Sequence, residues 1–181
     1  MRSETDTRST VAVVAYDGLS LFEFSAACEV FSSSGARSDD GVLTGPAYRV
    51  EVCGEQPSVR ADHGLTVDVP RRLQAVARAD IVVLPPCADA AAVSERTLAA
   101  VRRAHARGAR ILSLCTGAFV LARTGLLDGR RAVTHWDSCD RLAAAHPELS
   151  VDRSVLYVDD GDVLTSAGCA ASIDLCLHVV R

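Results

Sequence analysis

Of the seven cysteines in this 181-residue chain, Cys115 has the neighbours that could turn a thiol to chemistry. The stretch ILSLCTGAFVLARTG (residues 111–125) reads as a buried strand ending on Cys115, with Thr116-Gly117 in the joint and a helix starting at once. In an α/β sheet, ligands sit beyond the carboxyl ends of the strands. A helix N-terminus at the same place can lower a thiol pKa from about 8.5 by one or more units. In a strand-turn-helix elbow the next N–H, here that of Thr116, can steady developing negative charge, and Gly117 lets backbones come close. Equally, Cys115 could be a small residue that fits a tight joint; periodicity leaves both readings open.

The elements that must carry this corner alternate along the chain. TVAVVAYD, AYRVEVCG, ADIVVLPP and ARILSLC read as strands, ADIVVLPP as a continuous apolar run expected of a parallel strand covered on both faces. HGLTVDVP reads as a short edge strand, RAVTHW as a short strand, and SGARSDDGVLTGP as a loop. SLFEFSAACEVFSSS, SERTLAAVRRAHARG, TGAFVLARTGLLDG, DSCDRLAAAHP and CAASIDLCLHVVR read as helices. Ser20 and Glu23 have capping-box spacing, Ser94 is a second N-cap, and Asp160-Gly161 is a hairpin turn signal. The pattern predicts one α/β domain over residues 1–181, a three-layer sandwich with a mainly parallel sheet flanked by helices.

Composition narrows the function. Hydrophobic residues make up 49% and aromatic residues 4%, which suits an Ala/Val/Leu-rich α/β core. The formal net charge is −4, against a nucleic-acid grip by this chain. All 19 basic residues are Arg, so lysine Schiff-base chemistry is excluded. The cysteine count is odd, no CxxC pair occurs, and no secretory signal precedes them. A reduced, cytoplasmic protein with mostly buried thiols follows, Cys28, Cys53, Cys139 and Cys176 reading as core residues. No apolar window approaches a membrane span, His63, His105, His146 and His178 lack ligand-spaced partners for a metal, and no Gly-rich phosphate loop is present. No cofactor is expected.

The segments LCTGAFVLARTGLLDGRRAVTHW, SLFEFSAACEVF, ADIVVLPP and DDGDVLTSAGCAASIDLCLHVVR together resemble the DJ-1/PfpI (class I glutamine amidotransferase-like) superfamily, over about Val11 to Arg181. Within it the sequence is similar to the sensor domains of AraC-type (GlxA-like) transcriptional regulators and to isonitrile hydratases. The resemblance implies a flavodoxin-like fold, with Cys115 as the elbow cysteine and Glu23 as the acid that hydrogen-bonds it. It also implies a pocket lined by Thr116, Gly117, Cys87, His135, Trp136, Ser166, Gly168 and Cys169. A carboxylate beside a thiolate is repulsive, so a protonated Glu23 donating to a Cys115 thiolate is expected. Three departures stand out. Thr116 replaces the histidine of the protease-like branch. Glu23 replaces the Asp usual in isonitrile hydratases. LPPCAD replaces the Pro-Gly segment, and Pro86 has no N–H to offer unless Cys87 supplies one.

The reading is a ligand-sensing, homodimerising N-terminal domain of an AraC-family regulator, with a small metabolite in the pocket. Catalysis is not expected. DNA would be contacted by a helix-turn-helix domain expected beyond Arg181. The alternative is a cysteine-dependent hydratase or hydrolase in which Cys115 attacks and Glu23 shuttles a proton.

Overall fold

The β-branched run Ser9–Ala15 forms strand β1, and the computed structural model places it near the middle of a seven-stranded sheet. Residues 8–37 and 43–181 are described. The other strands of this sheet are β2 (Tyr48–Gly54), β3 (Arg71–Arg72), β4 (Ile81–Leu84), β5 (Arg110–Ser113), β6 (Tyr157–Asp160) and β7 (Val163–Ser166). Their spatial order is β6-β7-β5-β4-β1-β2-β3. Every pairing is parallel except β6 with β7, the hairpin turned by Asp160-Gly161, where Gly161 takes φ +82°. Val11 to Val14 and Val82 to Leu84 are all fully buried, so these strands show no inside-outside alternation. Each large side chain buried in this way contributes on the order of 1.5–3 kcal/mol.

Among the described residues six α-helices accompany the sheet: α1 (Leu21–Ser33), α2 (Leu73–Val76), α3 (Glu95–Ala106), α4 (Gly117–Ala122), α5 (Cys139–Ala145) and α6 (Ala170–Val179). α1 packs on α6, and α2 on α3. Ser94 caps α3, accepting from Thr97 N at 3.2 Å, and Gly108 follows α3 at φ +94°.

Several expected elements change. The long helix expected from Thr116 to Gly129 stops after Ala122, and its remainder is turns. RAVTHW shrinks to Arg131–Ala132, paired with Ser150–Val151 outside the main sheet. The expected edge strand becomes Thr66–Asp68, which pairs only with Ser58–Arg60. Inside the expected loop after α1, Gly35–Arg37 pairs antiparallel with Leu43–Pro46, while Ser38 to Val42 lie outside the described residues.

Because β1, β4, β5 and β7 run the same way, their carboxyl ends open together. Leu19, Pro85, Cys115 and Ser166 therefore belong to one end of the sheet.

Candidate functional site

The corner at Cys115 is built from the backbone outward. Leu114 N still donates to Leu84 O at 3.0 Å, in register with the strand. Cys115 then turns into the left-handed region at φ +53°. That conformation costs a non-glycine residue on the order of 1–3 kcal/mol and persists only where neighbours over-determine it. Here Thr134 Oγ1 donates to the Cys115 carbonyl at 2.9 Å, and Cys115 N–H points at Ser166 Oγ at 3.4 Å. Ser166 Oγ is itself 3.2 Å from Ser172 Oγ on α6. All three of these hydroxyl residues are fully buried. Gly117 is required for a plainer reason: a Cβ there would lie 2.2 Å from Leu84 O.

Glu23 is buried on the first turn of α1, at the same end of the sheet. The expected capping box is not formed. Ser20 Oγ donates to Glu23 Oε2 at 2.9 Å and to Asp62 Oδ2 at 3.2 Å, while Leu21 N donates to Asp62 Oδ1 at 3.3 Å. Asp62, from a distant loop, takes the role expected of the local serine, and Ser20 is left to orient Glu23.

The surroundings of Cys115 disfavour the thiolate expected there. Burial pushes the Cys115 thiol up to about 12, and the Glu23 carboxylate pushes in the same direction. The N–H groups of Thr116 and Cys169 pull it back only in part, and the Cys169 thiol adds a further upward push. The proton therefore rests on Cys115, which is 6% exposed. No downward pull comes from the loop after β4. Pro86 has no N–H and gives its carbonyl to Ser20 N at 3.0 Å, and Ala88 N donates to Gly18 O at 2.8 Å. Cys87 is half-buried in that loop, with its own thiol raised to about 11, mainly by burial.

On the other flank, His135 Nδ1 is 2.6 Å from Asp137 Oδ1, and the His135 and Trp136 ring centroids are 5.7 Å apart. Trp136 is 77% exposed, so it is not core. A Cβ on Gly168 would lie 2.6 Å from His135 Cδ2 and 3.1 Å from Cys115 Sγ. Gly168 thus occupies the narrow space between ring and sulfur. Beside it opens a cavity of about 430 Å³ walled by His135, Trp136, Leu156, Ala167, Gly168 and Cys169. Cys169 is exposed, at φ +48°. Cys115 is absent from that wall; its sulfur lies behind Gly168.

The ten residues singled out from sequence are thus distributed around one end of the sheet. Cys115, Thr116, Gly117, Ser166 and Gly168 make the elbow and its support, and His135, Trp136 and Cys169 face the open cavity. Cys28 is half-buried, and Cys53, Cys139 and Cys176 are buried, as expected of core thiols.

A family model described as the DJ-1/PfpI family matches residues 9–181. The chain belongs to the DJ-1/PfpI family. One relative of this DJ-1/PfpI domain is the HTH-type transcriptional regulator CdhR of Pseudomonas aeruginosa. It is 35% identical over 123 residues, covering 67% of this chain and 36% of the regulator. An isonitrile hydratase of Pseudomonas putida is 36% identical over 104 residues, 56% of this chain and 44% of the hydratase. The match therefore spans less than half the length of each of these two relatives. Among solved structures, an AraC family transcriptional regulator from Pseudomonas putida superposes with a TM-score of 0.79. The match covers 96% of this chain and 91% of that one at 20% identity, a likeness of fold.

Thr134, Asp62 and Asp137 were not anticipated. Thr134 is the residue before His135, and its inward hydroxyl had a signal in the quoted THW segment. Asp62 had none, because it reaches α1 from 41 residues away.

Proposed function

We propose that this DJ-1/PfpI domain is the ligand-sensing, dimerising part of an AraC-type transcriptional regulator, with DNA contacted by a helix-turn-helix domain elsewhere in the protein. The observation that carries this is the separation of thiol from cavity. The cavity is open and walled by the exposed indole of Trp136, whereas Cys115 is buried, protonated and shielded by Gly168. A neutral thiol is a poor nucleophile, since the thiolate is the attacking species. An open apolar wall with a few polar groups is suited to recognition. The likeness to CdhR and to the Pseudomonas putida regulator fold supports the same reading. The ligand class proposed is a small amino-acid or amine derivative, stacked on Trp136.

Trp136 is the single tryptophan, so its emission reports directly on the cavity. Titration with a panel of amino-acid and amine derivatives should give saturable emission changes without turnover. Ligand at about 100-fold over Kd should stabilise the fold by about 2.7 kcal/mol. Likeness to the isonitrile hydratase supports a second reading, cysteine-dependent hydration. Turnover of an isonitrile that Cys115→Ser abolishes would establish that reading and remove the first.

A further inference from the structure

Three stretches of chain enclose the cavity beside Trp136: His135-Trp136, residues 153–156 just before β6, and residues 167–171 leading into α6. Most of what they present is apolar, above all the exposed indole and the exposed Leu156. No Asp or Glu stands in this wall, and its one permanent charge is the guanidinium of Arg153. The nearby Asp137 carboxylate is already engaged, 2.6 Å from His135 Nδ1 and accepting from Ser138 Oγ at 2.8 Å.

Arg153 itself is held loosely. Its chain neighbour Asp152 is filled by other donors: Ser154 N at 2.8 Å, Ser154 Oγ at 2.7 Å and Arg131 Nη2 at 2.5 Å. Arg153 turns instead to Asp140 on α5, its Nη2 donating to Oδ1. Both side chains are more than half exposed, and an ion pair so placed is worth little. A guanidinium prefers a carboxylate that it can grip with two parallel N–H groups, and such a partner can displace a weak surface pairing.

We propose that Arg153 is the specificity-determining residue of this cavity, and that the ligand it selects is a small organic carboxylate. The acid group sits on Arg153, and the body of the ligand lies against Trp136 and Leu156. This rests on the reading of the cavity as a recognition site, and it narrows amino-acid and amine derivatives to those that keep a free carboxylate. A bare amine would bring a second positive charge to Arg153, with no acid in the wall to offset it. Asp140 is then a competitor, holding the guanidinium until a ligand carboxylate takes its place.

The test follows Trp136 emission in the full chain during titration with three matched pairs: leucine and leucinamide, phenylalanine and phenylalaninamide, arginine and argininamide. Each acid should bind about tenfold tighter than its amide, or more, the value of a hydrogen bond between charged groups. Arg153→Met should weaken the acids by about the same factor and leave the amides unchanged. Arg153→Lys keeps the charge but loses the fork, and should fall between. Asp140→Asn releases the guanidinium and should tighten the acids by about two- to fivefold, a gain that a merely structural Arg153 would not produce. Equal affinity for acids and amides would overturn the carboxylate anchor while leaving recognition at Trp136 standing. So would acid binding untouched in both Arg153 variants. Emission unchanged by all six compounds would remove the recognition reading itself, and the anchor with it.

Discussion

Thr134 Oγ1 donates to the carbonyl oxygen of Cys115 at 2.9 Å, both groups buried, and this bond helps fix the strained turn that defines the site. Removing it should leave a buried carbonyl without that partner. Thr134→Val is expected to lower unfolding free energy by about 1–3 kcal/mol. A urea titration should show a lower midpoint with unchanged slope, and Thr134→Ser, which keeps the hydroxyl, should recover most of the loss.

Gly117 makes a stricter demand. An added methyl would lie 2.2 Å from Leu84 O, a backbone atom fixed within β4. Neither partner is the free end of a side chain, so α4 must shift bodily. Gly117→Ala should cost at least about 1–3 kcal/mol. Its effect on thermal unfolding should exceed that of Gly129→Ala, where the added Cβ meets open space, even though Gly129 carries the positive φ of +73°.

The Asp62 carboxylate accepts from Leu21 N and from Ser20 Oγ, and so couples a loop to the first turn of α1. Asp62→Ala should cost about 0.5–2 kcal/mol, as loss of an N-cap acceptor does. Asp62→Asn should cost less, since its amide oxygen still accepts. Equal losses in the two variants would show that the acceptor is not what matters.

Gly168→Ala tests the partition between thiol and cavity. The new methyl would press on His135 Cδ2 at 2.6 Å, and the imidazole, whose ring lies 5.7 Å from that of Trp136, must shift. The fold should survive, while the emission of Trp136 and its response to any cavity ligand should change. Unaltered emission would place the ring elsewhere in solution.

Much of the architecture was legible because it rests on local periodicity. The apolar runs ending at Leu84 and Ser113 could be buried only as central parallel strands, and Asp160-Gly161 could make only a hairpin. The long helix after Cys115 was misread because Arg123 to Gly129 carries helical spacing but turns at Gly125, with φ +77°. The site was legible as a set of residues, not as a protonation state. A thiol at a helix start suggests acidity; only the packing shows that burial and Glu23 outweigh the N–H groups of Thr116 and Cys169. The Asp62 cap and the crossing of Gly168 over Cys115 depend on contacts far apart in sequence, which no local pattern records.

The protonation of Cys115 is the point on which recognition and reaction part. A group raised in the folded state stabilises the fold fully below its unfolded pKa. That contribution fades as pH climbs from the free-thiol range toward about 12. The direct measurement is the pH-dependent absorbance at about 240 nm of the parent minus that of Cys115→Ser, which isolates the Cys115 thiolate. The expected difference curve stays flat through neutral pH and rises only well above the free-thiol range. A difference signal with its midpoint at or below about 8.5, the free-thiol value, would contradict the neutral thiol and return Cys115 to the role of nucleophile.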